Sequence, residues 1–298
     1  MSKPRATWLI HLFLLLLAGA APICSAAPTS TSGETTTQPA QLAIIIDDLG
    51  YNLGMGQRAL DLPGAITVAV LPFTPHGQEL AAYAHRRGKE VMLHAPMSNH
   101  HQYPLGRGGL RSGMDKHEFL VVLRQNLANI PYIQGVNNHM GSQLTEQAEP
   151  MSWLMAELKQ RQLYFVDSRT SAQTQALNQA QAIGLPSLKR DVFLDDKRDQ
   201  QLIHQQLLRA LEKAQQQGLA VAIGHPYPET LRVLEQLPAL LDSYEVELVA
   251  VSSLMPKQPF QVTSSTRESS CLAPPMGLWP RVWAPIDPFD SIPALWEH

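Results

Sequence analysis

Short apolar runs that end in polar residues recur along this chain, separated by stretches whose apolar residues fall three and four apart. The first run, Leu42-Ala-Ile-Ile-Ile46, contains three β-branched isoleucines and passes directly into Asp47, Asp48 and Gly50. An unbroken run of that length predicts a strand buried on both faces. The same pattern predicts strands at 66–71, 89–94, 132–136, 163–167, 219–223 and 246–251. Helical spacing predicts helices beginning near Asn52 and over 78–87, 115–130, 150–160, 174–182, 199–217 and 229–241, the last bent or shortened by Pro238. Asp115 with Glu118 three residues later is a capping box, and Gly88, Gly184 and Gly218 stand where helices close. Residues 98–113, with four glycines and no period, read as a loop, and 186–194 is ambiguous between a short strand and a turn. Strand and helix alternate seven or eight times in roughly 210 residues. That alternation predicts a parallel α/β domain, either a barrel or a doubly wound sheet.

The flanks are different. Lys3 and Arg5 precede an apolar run from Trp8 to Ala21, followed by Cys24-Ser-Ala-Ala27. This is the pattern of a cleaved secretory signal over 1–26, which predicts a periplasmic protein; a retained anchor is the alternative. Residues 27–41, rich in Thr, Ser, Pro and Gly, read as a flexible spacer. The tail at 256–298 has many prolines and isolated Trp279, Trp283 and Trp296 but no period. It reads as disordered, with its aromatics as contacts for an envelope protein or for the domain at 42–255. Cleavage near Ala26 leaves Cys271 without a disulfide partner.

The 298 residues carry a formal net charge of −3, and no cluster of Lys and Arg predicts binding to nucleic acid. Eleven histidines are more informative, because several stand at predicted strand ends. Strands of a parallel α/β domain open their carboxyl ends on one face. Listing those ends gathers Asp47, Asp48, His94, His139, Asp167 and His225 on a single rim. One carboxylate with two imidazoles is a zinc-type ligand set that leaves a position open. Two adjacent carboxylates either cap the following helix, or divide the work so that one holds metal and the other takes a proton.

These residues resemble a known family. Ile-Ile-Ile-Asp47-Asp48-Leu-Gly50 is similar to the opening motif of polysaccharide deacetylases, and residues 88–95 and 222–225 are similar to their later histidine motifs. Asp47-Asp48-Leu-Gly-Tyr, His94-Ala-Pro-Met97, Gly135 to Ser142, Phe165 to Arg169 and Gly224-His225-Pro226 together resemble the divergent polysaccharide deacetylases of bacterial envelopes. The resemblance implies an irregular (β/α) barrel of seven to eight mostly parallel strands. It implies Asp47 as catalytic base, Asp48 and His94 as ligands of a divalent metal such as Zn2+, and His225 as general acid. The larger family places a second metal histidine four residues after the first, where this chain has Ser98. Either His139 supplies that ligand from the next strand end, the favoured reading, or metal binding is altered. The family's arginine motif is missing in its usual form, and Arg169 beside Asp167 is the candidate to orient the base.

The function so implied is metal-dependent removal of acetyl groups from a cell-envelope polysaccharide such as peptidoglycan. The alternative is a non-catalytic envelope protein that uses the fold to bind glycan or a division partner. Glycosidic hydrolysis by the paired acids is a weaker third, since adjacency in sequence does not set the spacing it needs.

Overall fold

A computed structural model describes residues 39–255. The leader, most of the spacer and the tail lie outside them. Within them the elements run β1 (Ala40–Leu49), α1 (Leu53–Leu60), β2 (Thr67–Val70), α2 (Gly77–Arg86), β3 (Glu90–Met97), α3 (Lys116–Asn129) and β4 (Ile133–Met140). The order continues through α4 (Ala148–Gln160), β5 (Tyr164–Asp167), α5 (Ala176–Ala182), β6 (Ser187–Lys189), β7 (Val192–Phe193), α6 (Gln200–Gln217) and β8 (Leu219–Gly224). Last come α7 (Pro228–Leu234), α8 (Leu237–Tyr244), β9 (Val246–Leu248) and a 3₁₀ turn, Val251–Leu254. No helix among the described residues is long and apolar enough to cross a membrane.

The strands form one sheet in the order β6-β5-β4-β3-β2-β1-β8-β7, and the described pairings are all parallel. β9 lies beside the first residues of β1, below β2 on the same edge. The chain passes from β6 into β7 after only Arg190 and Asp191. One nearly continuous run of chain therefore pairs first with β5 and then with β8. The two ends of the sheet are joined there by covalent chain, which makes the barrel irregular.

Alternation along the strands sorts the apolar residues into two cores. Leu42, Ile44 and Ile46 of β1, Val91 and Leu93 of β3, Val136, Phe165, Ala220 and Ala222 pack outward under the helices. Ala43, Ile45, Ala69, Met92, Tyr164, Val166, Val221 and Ile223 point into the barrel. Helices cover the outer layer in the predicted way. α3 carries the full capping box of Asp115 and Glu118, and α6 is capped by Asp199 and closed by Gly218 at φ 80. Asn52 caps α1 through a 3.0 Å bond to the Met55 amide, so Asp47 and Asp48 are not needed as caps. The expected helix at 229–241 is two helices, with Pro238 in the first turn of the second, where a missing N–H costs nothing.

β3 and β4, like β1, run further than their apolar runs predict. β3 continues through Pro96 to Met97, and β4 continues through Asn137, Asn138 and His139 to Met140. Polar side chains that face a barrel interior look like a loop in sequence, yet their backbone stays in register, His94 beside Asn137 and Pro96 beside His139.

Candidate active site

The same alternation decides what enters the barrel mouth. On β1 the inward series is 43, 45, 47, so Asp47 continues Ala43 and Ile45 and is buried. Asp48 should point outward. It does not, because the register with β2 slips between Ile46 and Leu49, and Asp48 takes a left-handed backbone at φ 59. Asp is one of the few side chains for which that conformation is common. Such a bulge re-aims a side chain at a strand end, and here it turns two successive carboxylates into one cavity of about 140 Å³.

His94 follows Met92 inward, His139 follows Asn137, and His225 follows Ile223. The Asp48 Oδ1 lies 3.1 Å from His94 Nε2 and 2.8 Å from His139 Nδ1. The two nitrogens are 3.2 Å apart. Asp48 Oδ1 is buried without a well-aligned hydrogen bond. Three ligand atoms therefore converge on each other instead of pairing off. Ligands held about 2.0–2.2 Å from one ion sit roughly 3 Å apart, so a divalent cation fits these donors. Ser98 does not join them. Its hydroxyl accepts the Ser112 amide at 3.0 Å and its carbonyl accepts the Gln143 and Leu144 amides, which fastens the loop after β3.

Asp47 Oδ2 stands 3.7 Å from His94 Nε2, and its Oδ1 accepts a 2.8 Å bond from Asn137 Nδ2. Burial pushes the Asp47 carboxyl above its ordinary range, against the pull of His94, His225 and Asn137. Burial also opposes the charge on Asp48, but close contact with His139 and His94 outweighs it and holds that carboxyl well below the ordinary range. The two acids are thus driven apart in basicity, the usual mark of divided roles.

On the other side of the mouth, His225 Nε2 lies 3.8 Å from Asp48 Oδ2. Its Nδ1 meets Asp195 Oδ1 at 2.9 Å, while Asp195 Oδ2 accepts the His225 amide at 2.6 Å and the Thr230 hydroxyl at 2.7 Å. Burial alone would lower the His225 pKa, but the Asp195 bond and the nearby carboxylates raise it to about 9.

Two expected residues stay outside the cavity. Asp167 shares the outward face of β5 with Phe165, and its carboxylate accepts the Arg169 amide and the Thr174 hydroxyl, each at 2.9 Å. It braces the loop after β5. Arg169 is exposed, and its guanidinium makes no hydrogen bond or ion pair among the described residues. Arg190, at the β6–β7 crossing, lines the cavity instead. It is anchored by a 2.6 Å bond to the Ser168 carbonyl and packs over the Phe193 ring. Asn137, Asp195 and Arg190 are the functional candidates that the listing of strand ends passed over. The parity of β4 would have found Asn137, two residues before His139. Asp195 and Arg190 flank a strand so short that 186–194 carried no clear period.

Fold and site together define a parallel (β/α) barrel with an Asp-His-His cluster, a buried carboxylate and a carboxylate-paired histidine at its carboxyl-terminal mouth. The chain belongs to the divergent polysaccharide deacetylase family, whose model matches residues 44–255. It is 41% identical over 252 residues to the uncharacterized protein YibQ of Escherichia coli, covering 85% of this chain and 75% of that one. It is 34% identical over 228 residues to an uncharacterized protein of Haemophilus influenzae, covering 74% and 80% respectively. Among solved structures, the uncharacterized protein ATU2773 of Agrobacterium tumefaciens matches with a TM-score of 0.70 at 25% identity, over 74% of this chain and 91% of that one.

Proposed function

We propose that this protein is a metal-dependent hydrolase that removes acetyl groups from a cell-envelope polysaccharide of the peptidoglycan kind. The observation that carries the proposal is the convergence of Asp48 Oδ1, His94 Nε2 and His139 Nδ1, with Asp47 on one side and His225 on the other. Asp48, His94 and His139 would hold a divalent cation, and the mixed oxygen and nitrogen set suits Zn2+. When bound, such an ion would acidify a water molecule and polarise the acetyl carbonyl.

The protein's own groups do the rest. Asp47, fixed by Asn137 through Oδ1, takes a proton from water at Oδ2. His225, kept protonated by Asp195, gives a proton from Nε2 to the departing amine or alcohol of the sugar. Arg190 contributes a fixed positive charge to the cavity wall. Family membership supports a polysaccharide substrate, and the signal-like segment at 1–26 supports a periplasmic site of action, where such glycans lie. The tail at 256–298, with its tryptophans, is the segment proposed to meet an envelope protein partner.

The test is metal content measured beside acetate release from peptidoglycan fragments and chitooligosaccharides. Asp48→Asn and His139→Ala should lose the metal. Asp47→Asn should keep the metal and lose turnover by about 10²–10⁴-fold, the usual worth of a general base. Equal metal occupancy in wild type and Asp48→Asn would refute the ligand assignment. Stoichiometric metal without acetate from any acetylated glycan would turn the assignment to a glycan-binding role.

A further inference from the structure

Asn137 is fully buried, and its two amide atoms are spent on two different members of the site. Its Oδ1 lies 2.7 Å from His94 Nδ1 and its Nδ2 donates to Asp47 Oδ1 at 2.8 Å. The second contact is unusual in reach. β3 and β2 lie between the strands that carry Asn137 and Asp47, and three strand spacings in a flat sheet come to about 14 Å. The bond therefore crosses the interior of the curled sheet.

We infer that Asn137 is a positioning residue that sets the metal ligand His94 and the base Asp47 with one side chain, a separate bond to each. This rests on the function proposed above. The orientation of the amide follows from its partners. A carboxylate can only accept from it, so the NH₂ end faces Asp47 and the carbonyl end faces His94. Nδ1 of His94 must then carry a hydrogen, which leaves the Nε2 lone pair for the cation. On the other side, tying Asp47 through Oδ1 leaves Oδ2 as the oxygen that looks toward His94 Nε2 and the cluster. Register makes this possible, because His94 and Asn137 are direct neighbours on β3 and β4 and both face inward.

The two roles separate by substitution in the full-length chain. Asn137→Ala removes both bonds. Asn137→Asp keeps the shape and an acceptor for His94 Nδ1–H, but it offers Asp47 no donor and brings a like charge against it. Zinc affinity is measured by competition with a chelating dye, without turnover. The kcat and KM for an acetylated chitooligosaccharide are measured at saturating zinc, and the metal-free unfolding midpoint is followed alongside. Asn137→Ala should bind zinc roughly 10- to 100-fold more weakly, the usual cost of losing such a ligand support. Asn137→Asp should bind zinc as wild type does and lose kcat by about 100-fold or more at unchanged KM. If Asn137→Ala does not fold, Asn137→Asp decides alone. Wild-type zinc affinity in Asn137→Ala, or wild-type kcat in Asn137→Asp, would overturn the inference while leaving the deacetylase reading intact. A wild-type protein that binds no zinc would overturn both.

Discussion

At the scale of residues, the site is ordered by what each carboxylate is allowed to do. Asp48 touches two imidazoles and is ionised readily, while Asp47, deeper and bound mainly by an amide, holds its proton more tightly. The Asp195–His225 pair works in the opposite sense and stores a proton. In metal-free protein, His225 should titrate near 9, and Asp195→Asn should bring it down toward its ordinary 6.5, since removing a carboxylate partner disfavours the imidazolium. NMR titration of the ring reads this directly, and a wild-type His225 titrating near 6.5 would refute the pairing. Because the folded value is raised, the pair's stabilising effect is complete below about pH 6.5 and disappears as pH rises through about 9. Asp48→Asn is the informative change at its position, because Asn tolerates the left-handed backbone as Asp does and any loss of metal reports the missing charge.

At the scale of elements, parity along the strands carries most of what can be read without coordinates. The series 43-45-47, 92-94, 137-139 and 221-223-225 face inward, and each ends in a site residue. Applied to β5, the same count turns Asp167 outward with Phe165, so listing strand ends without parity gathers one acid too many. Asp48 breaks the count, and only the bulge explains it; nothing in Ile-Asp-Asp-Leu announces a left-handed residue. Strand and helix order, caps and the core were legible because period and punctuation agree there. The crossing at 186–194 was not, since two strands of three and two residues are too short to show a period. β4 depends on a glycine at its base. A Cβ at Gly135 would stand 2.2 Å from the Tyr164 ring, so Gly135→Ala should displace β4, cost about 1–3 kcal/mol in chemical denaturation and weaken zinc binding at His139, four residues further on.

At the scale of the whole molecule, the cluster of acids and histidines lies at one end of the barrel and a bracing network at the other. Opposite the site, buried Glu90 accepts bonds from the Tyr164 hydroxyl at 2.7 Å, the Thr67 hydroxyl at 3.3 Å and the Ser252 amide at 3.1 Å. It ties three strand starts to the 3₁₀ turn that plugs the barrel. Glu90→Ala strands those donors and should cost about 1–3 kcal/mol of stability while zinc affinity holds. Loss of zinc binding without loss of stability would contradict this division. β1 ties both ends together, carrying Asp47 and Asp48 at its tip and pairing with β2, β8 and β9 along its length. It is also the first of the described strands to be synthesised. Gln41 pairs with Leu219, 178 positions later, and Leu42 with Leu248. At about 5–20 residues per second, its isoleucines wait roughly 10–40 s for the partner on their β8 side. Through that interval a fully apolar segment of the domain has one of its edges uncovered, so the strand that carries Asp47 and Asp48 is also the one a nascent chain must be kept from losing to its neighbours.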